Sequence, residues 1–146
     1  MSYILVVEDE DVLRELLEIV LSEEGYEVRS ATDARCALDL AACERPSLIL
    51  FDLTLPDLSG AAFVERYRAL PNASAMLIAV SGIANLAEEA DRIGVDAFLS
   101  KPFELADLLS LVQRTLTLRR VGEYAVMEPR CPTADAGYPG EQRDQA

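Results

Sequence analysis

Residues 47–60 read SLILFDLTLPDLSG, an apolar run over 47–51 that stops at Asp52 and passes into a loop holding Pro56 and Gly60. The run has no polar–apolar alternation, so it predicts a strand buried on both faces and not one with a wet side. Such a strand needs helices packed above and below it. The flanking sequence supplies them: residues 34–43 read as an Ala/Leu helix opened by Thr32 or Asp33 as a cap and closed before Pro46, and residues 61–70 as a helix after Gly60.

The same alternation extends to both ends of the chain. Upstream, residues 3–7 form a second doubly buried strand, followed at once by Glu8, Asp9, Glu10 and Asp11. Over residues 12–21, Val12, Leu13, Leu16, Leu17, Ile19, Val20 and Leu21 recur at helical spacing up to a stop at Gly25, and 26–30 is a weaker strand. Downstream, 76–80 is an apolar strand ending at Ser81-Gly82, 86–93 a short helix stopped by Gly94, 95–99 a fifth strand before Lys101-Pro102, and 105–118 a Leu-rich helix. Five βα units in succession predict an α/β fold with a doubly wound parallel sheet, because right-handed crossovers put helices on both faces. Beyond Arg120 the chain carries three of its seven prolines and three of its seven glycines with no amphipathic period. The folded domain is therefore expected over 1–120, and 121–146 is expected to be a disordered tail.

Composition excludes several function classes. The chain of 146 residues holds 26 Asp and Glu against 13 Lys and Arg, a net charge of −13, and no histidine. Ser-His-Asp and Cys-His catalysis, His-rich zinc sites and a phosphohistidine of its own are thereby removed. The negative charge, with no basic stripe, argues against direct contact with nucleic acid or an anionic membrane. Cys36, Cys43 and Cys131 are odd in number and lack CxxC spacing, so neither a disulfide framework nor a thiolate metal site is expected. No run has the length of a signal-peptide core or a membrane span, and a soluble protein of the reducing cytoplasm is the expectation.

Ligands of open α/β sheets bind at the carboxyl ends of the strands. Those ends carry Glu8 and Asp9, Asp52, Ser81 and Lys101, the last being the only lysine of the chain. Taken singly, each has an ordinary explanation: acids after a strand cap helices, as Glu10 and Asp11 do well, and Ser-Gly or Lys-Pro opens a turn. Together they place three carboxylates, a hydroxyl and an ammonium at one edge. Carboxylates this close repel unless one is protonated or a cation sits among them, and hard oxygen ligands with room for water suit Mg²⁺. Lys101 is a suitable partner for a carboxylate or for a phosphoryl oxygen on it, and Ser81 can donate to the same oxygen.

The stretches ILVVEDE at 4–10, LILFDLTLPDLSG at 48–60, AVSG at 79–82 and FLSKPF at 98–103, in this order and spacing, resemble the receiver domain of two-component response regulators over about residues 3–118. The resemblance implies a CheY-like, flavodoxin-like (βα)5 fold with strand order 2-1-3-4-5. It implies that Asp52 accepts a phosphoryl group from a phosphohistidine on a sensor histidine kinase or histidine phosphotransfer protein. Glu8, Asp9, Asp52 and the backbone carbonyl of Thr54 would hold Mg²⁺, and Lys101 would pair with phosphoryl oxygens. Ser81 and Phe98 would form the switch, with output through a protein partner or homodimer on the face of residues 86–118. Glu8 stands where aspartate is commoner, Ser81 where threonine is, and Phe98 where tyrosine is frequent.

The resulting expectation is a stand-alone phosphoacceptor switch, not an enzyme acting on other substrates. Two alternatives accompany it. A haloacid-dehalogenase-type phosphatase needs a second acid two residues after its nucleophile, where this chain has Thr54. A pseudo-receiver would bind partners without phosphorylation.

Overall fold

The two stretches with unbroken apolar runs become the middle of the sheet. A computed structural model describes residues 2–130 of the chain, the side chains of 120–130 excepted. In it β1 (Ile4–Val7) and β3 (Leu48–Asp52) are buried along their whole length. Around them stand β2 (Val28–Ala31), β4 (Met76–Ser81) and β5 (Ala97–Ser100), all parallel, in the order β2-β1-β3-β4-β5. The edge strands β2 and β5 are half-buried or exposed at most positions, which matches their weaker apolar sequence. The helices are α1 (Asp11–Glu23), α2 (Ala34–Cys43), α3 (Gly60–Arg68), α4 (Leu86–Ile93) and α5 (Leu105–Arg130). This is the expected doubly wound, flavodoxin-like (βα)5 architecture.

Two compact units divide the chain. Among the described residues, the first, up to Leu111, holds the sheet, α1 to α4 and the start of α5, and the second begins at Val112 within α5. The core of the first unit includes Leu5, Val7, Ile49, Phe51, Phe63, Leu77 and Ala79, with the Phe51 and Phe63 rings 5.1 Å apart. Among the described residues, no helix is long and apolar enough to cross a membrane.

Several boundaries differ from the sequence reading, each for a local reason. β2 begins at Val28, later than expected, because the Tyr26 N–H still bonds Leu21 O in the terminal turn of α1, where Gly25 has φ +96°. Asp33 is the cap of α2, its Oδ1 accepting from Cys36 N–H at 2.8 Å. Ser59 caps α3 by accepting from Ala62 N–H at 3.1 Å, so that helix starts at Gly60. Glu10 occupies the N-cap of α1 but makes no side-chain cap bond, and Asp11 pairs with Arg14 at 2.7 Å. α5 runs from Leu105 to Arg130, beyond the 105–118 expected for this helix. The rest of the expected tail, 131–146, lies outside the described residues.

Gly60 ties α3 to the end of β3. Its N–H bonds Leu53 O at 3.1 Å, and a Cβ at this position would lie 2.4 Å from Leu53 Cδ2 and 3.2 Å from Leu53 Cα. Gly60→Ala is expected to destabilise the fold by about 1–3 kcal/mol, the usual cost of overpacking. Urea unfolding with a lowered midpoint and unchanged slope is the expected result.

Candidate functional site

Strand order brings the acidic ends together. β1 and β3 are adjacent in register, Val7 opposite Phe51, so the residues that follow, Glu8 and Asp52, emerge side by side at the carboxyl edge. One ligand oxygen from each of Glu8, Asp9 and Asp52 can be chosen so that all lie within 4.8 Å of one another. Glu8 and Asp52 are 4% and 5% exposed, whereas Asp9 is open to solvent. Arg14 on α1 donates from Nη1 to Glu8 O at 3.0 Å and steadies the turn that carries the acids.

Lys101 reaches this cluster from the end of β5. Its backbone N–H bonds Ser81 O at 2.9 Å, which anchors the residue, and the peptide bond to Pro102 is cis. The ammonium Nζ lies 2.7 Å from Asp52 Oδ2 and 3.1 Å from Glu8 Oε1. The other Asp52 oxygen is held from within its own loop, with Thr54 N–H and Thr54 Oγ1 both 2.8 Å from Oδ1. Each oxygen of the Asp52 carboxylate therefore has a donor, as a buried anion requires.

The two buried acids respond differently. For Asp52, burial pushes the carboxyl upward, but the Lys101 ammonium and the paired Thr54 donors outweigh it and hold the group below the ordinary aspartate range. For Glu8, burial dominates and raises the carboxyl, against the opposing pull of the Glu10 amide and of Lys101. Burial lowers the Lys101 ammonium, and hydrogen bonds to Asp52 and Glu8 more than reverse this, so it is raised. The shorter contact and the extra donors explain why Asp52 is the more strongly stabilised anion.

Ser81 ends β4, one residue past Val80, which faces Asp52 in register. It is 1% exposed, and its Oγ accepts from Ile83 N–H at 3.3 Å. Phe98 sits on β5 opposite Ala79 and is 43% exposed. Glu8, Asp9, Asp52 and Lys101 thus converge directly, and Ser81 lies at the same strand edge. Sequence reasoning placed Thr54 here for its carbonyl alone and missed its amide and hydroxyl contacts with Asp52. A hydroxyl two residues beyond a strand-end carboxylate is the signal that could have found them.

Three hard carboxylate oxygens against one ammonium leave excess negative charge in a largely buried pocket. The donor set fits Mg²⁺, which binds through a few carboxylates and keeps several waters. The remaining donors, from Lys101 and Thr54, surround a carboxylate oxygen as they would surround a group attached to it.

A family model described as response regulator receiver domain matches residues 4–113. Sporulation initiation phosphotransferase F of Bacillus subtilis is 29% identical over 117 residues, covering 80% of this chain and 94% of that protein. Response regulator MprA of Mycolicibacterium vanbaalenii is 36% identical over 130 residues, covering 85% of this chain but only 56% of that protein. Among solved structures, the receiver domain of a Pseudomonas aeruginosa sensor histidine kinase, with a magnesium ion coordinated in its active site cleft, superposes with TM-score 0.72 at 31% identity, covering 80% of this chain and 98% of the other.

Proposed function

The chain belongs to the response regulator receiver domain family of two-component systems, and from that premise we propose that Asp52 is its phosphoacceptor. The donor would be a phosphohistidine on a separate histidine kinase or phosphotransfer protein, consistent with a chain that has no histidine. The observation that carries the reading is the buried Asp52 carboxylate, with Lys101 at 2.7 Å on one oxygen and Thr54 on the other.

In the transfer, an Asp52 oxygen forms a bond to phosphorus as the bond between phosphorus and the donor nitrogen breaks. Little covalent chemistry falls to the protein, which positions the groups and balances charge. Lys101 is placed to follow negative charge from the carboxylate to the phosphoryl oxygens. Ser81, at the adjacent strand end, is the second donor to that group, and Thr54 keeps the carboxylate in a fixed plane. Glu8, Asp9, Asp52 and the Thr54 carbonyl would hold Mg²⁺, whose contribution is to neutralise charge on the equatorial phosphoryl oxygens.

The donor's docking surface is proposed on α1. Val12, Leu16 and Ile19 are 75%, 39% and 56% exposed along one face of that helix. Val12 and Leu16 also line a cleft of about 470 Å³ with Leu13, Pro102, Phe103 and Leu105 beside Lys101. An apolar stripe next to the acceptor is suited to a partner helix. Output is proposed through a protein partner or a second copy at α4, β5 and the start of α5, with Ser81 and Phe98 as the switch. Phosphorylation would bias two pre-existing states by contacts available in only one of them.

Intact-mass measurement after treatment with acetyl phosphate, with and without Mg²⁺, tests the proposal. Wild type is expected to gain one phosphoryl group in the presence of Mg²⁺, and Asp52→Ala none. Labelling that persists in Asp52→Ala would reject Asp52 as acceptor. A wild type that takes no label, with partner binding unchanged in Asp52→Asn, would favour the pseudo-receiver, and rapid hydrolysis of small phosphate esters would favour a phosphatase.

A further inference from the structure

Asp57 has no place in the proposed chemistry, yet both oxygens of its carboxylate are engaged. Oδ1 accepts from Ala34 N–H and Oδ2 from Arg35 N–H, each at 3.0 Å, and Arg35 Nε lies 3.7 Å from Oδ2. Those amides open α2, and helix-opening amides have no partner within their own helix. The local cap, Asp33, takes the Cys36 amide, so a carboxylate from a distant loop takes the two before it. Burial acts to raise the Asp57 carboxyl, and the two amides outweigh it, holding it below the ordinary range. The helix start thus receives a full negative charge where its dipole favours one.

The loop that delivers Asp57 is the one that follows Asp52. It is closed at its base by an antiparallel bridge between Thr54 and Ser59 and by the Gly60 N–H to Leu53 O bond of 3.1 Å. Thr54, at that base, puts its N–H and Oγ1 on Asp52 Oδ1 at 2.8 Å. Polar contacts thus tie the loop to the Asp52 carboxylate through Thr54, to α3 through Ser59 and to α2 through Asp57, while Leu55 is buried in the core and Leu58 packs against it.

We infer that Asp57 is a positioning residue for phosphoryl acceptance: by anchoring the loop of residues 54–59 to the start of α2, it keeps both Thr54 donors on the Asp52 carboxylate. The inference rests on the reading of Asp52 as acceptor. Without the anchor the loop keeps its apolar packing but loses its polar tie to α2, and Thr54 is held less firmly against the carboxylate. Misplacement of about 1 Å is sufficient to slow a reaction that depends on alignment.

Two readouts on the full chain test this, with Asp57→Ala, Asp57→Asn and Arg35→Ala beside wild type. In amide hydrogen exchange of the unphosphorylated protein, Asp57→Ala is expected to speed exchange about tenfold or more at Ala34 and Arg35 and also at Thr54, with Leu50 in the central strand still protected. Asp57→Asn, which keeps a carbonyl acceptor, recovers part of the protection and decides the matter if the alanine variant fails to fold. Arg35→Ala removes a guanidinium but no backbone donor and leaves Thr54 unchanged. In labelling by acetyl phosphate with Mg²⁺, Asp57→Ala is expected to be slower by about tenfold, with Asp57→Asn between it and wild type. Unchanged Thr54 exchange, or labelling at the wild-type rate, overturns the inference. A wild type that takes no label overturns the receiver reading instead, and Thr54 exchange then still decides whether Asp57 holds the loop.

Discussion

Lys101→Met is expected to damage both folding and phosphoryl acceptance, and Mg²⁺ should rescue only the first. Methionine keeps most of the apolar stem and removes the ammonium that lies between Asp52 and Glu8 at 2.7 and 3.1 Å. The side chains of those acids are 6% and 5% exposed, so water cannot replace the lost partner cheaply. Removing one member of a buried ion pair typically costs about 3–5 kcal/mol, and the metal-free variant should unfold at a correspondingly lower urea concentration. Added Mg²⁺ supplies positive charge among the same carboxylates and should restore most of that stability. Labelling by acetyl phosphate should remain at least about 100-fold slower than wild type, because a fixed donor facing the developing charge is missing. Metal-free stability equal to wild type would show that the two ion pairs do not stabilise the fold, and wild-type labelling would remove Lys101 from the chemistry.

The legible parts of the molecule were those set by side-chain patterning. ILVV and LILF can be covered only by helices on both sides, so the central strands and the α/β class follow from apolar runs and the helical spacing around them. Candidate residues were legible because topology alone puts strand ends at one edge, without any knowledge of loop shape. What could not be read depends on backbone hydrogen bonds. Tyr26 looks like the first residue of a strand until its amide is found bonded to Leu21 in the turn closing α1. Thr54 and Asp57 sit in what reads as a Pro- and Gly-containing connector, and their roles arise from a loop folded back on Asp52 and α2. The length of α5 was not legible because Gly122 and Pro129 interrupt the apolar period past residue 118.

Glu8→Gln should separate the stability of the pocket from its affinity for the dication. Burial raises the Glu8 carboxyl, so the folded chain binds that proton more tightly than the unfolded chain does. By linkage, Glu8 contributes less to stability as pH climbs from about 4.5, the ordinary glutamate value, through the higher folded value, and the whole penalty is present above it. Asp52 acts in the opposite sense. Its folded value lies below the ordinary 3.8, so its contribution is complete above that pH and is lost as acid takes the protein down through the folded value. Glutamine carries no charge to desolvate, so metal-free Glu8→Gln is expected to be more stable than wild type at neutral pH. Its advantage should shrink as pH falls toward 4.5, where Glu8 itself becomes neutral. With Mg²⁺ the order should reverse. A ligand at about 100 times its Kd stabilises a fold by about 2.7 kcal/mol, and a variant without one of the carboxylates should gain much less of this. Urea unfolding across pH, with and without Mg²⁺, measures both effects. A variant less stable than wild type without metal would mean that the Lys101 contact outweighs the burial of Glu8, and an undiminished Mg²⁺ response would remove Glu8 from the ligand set.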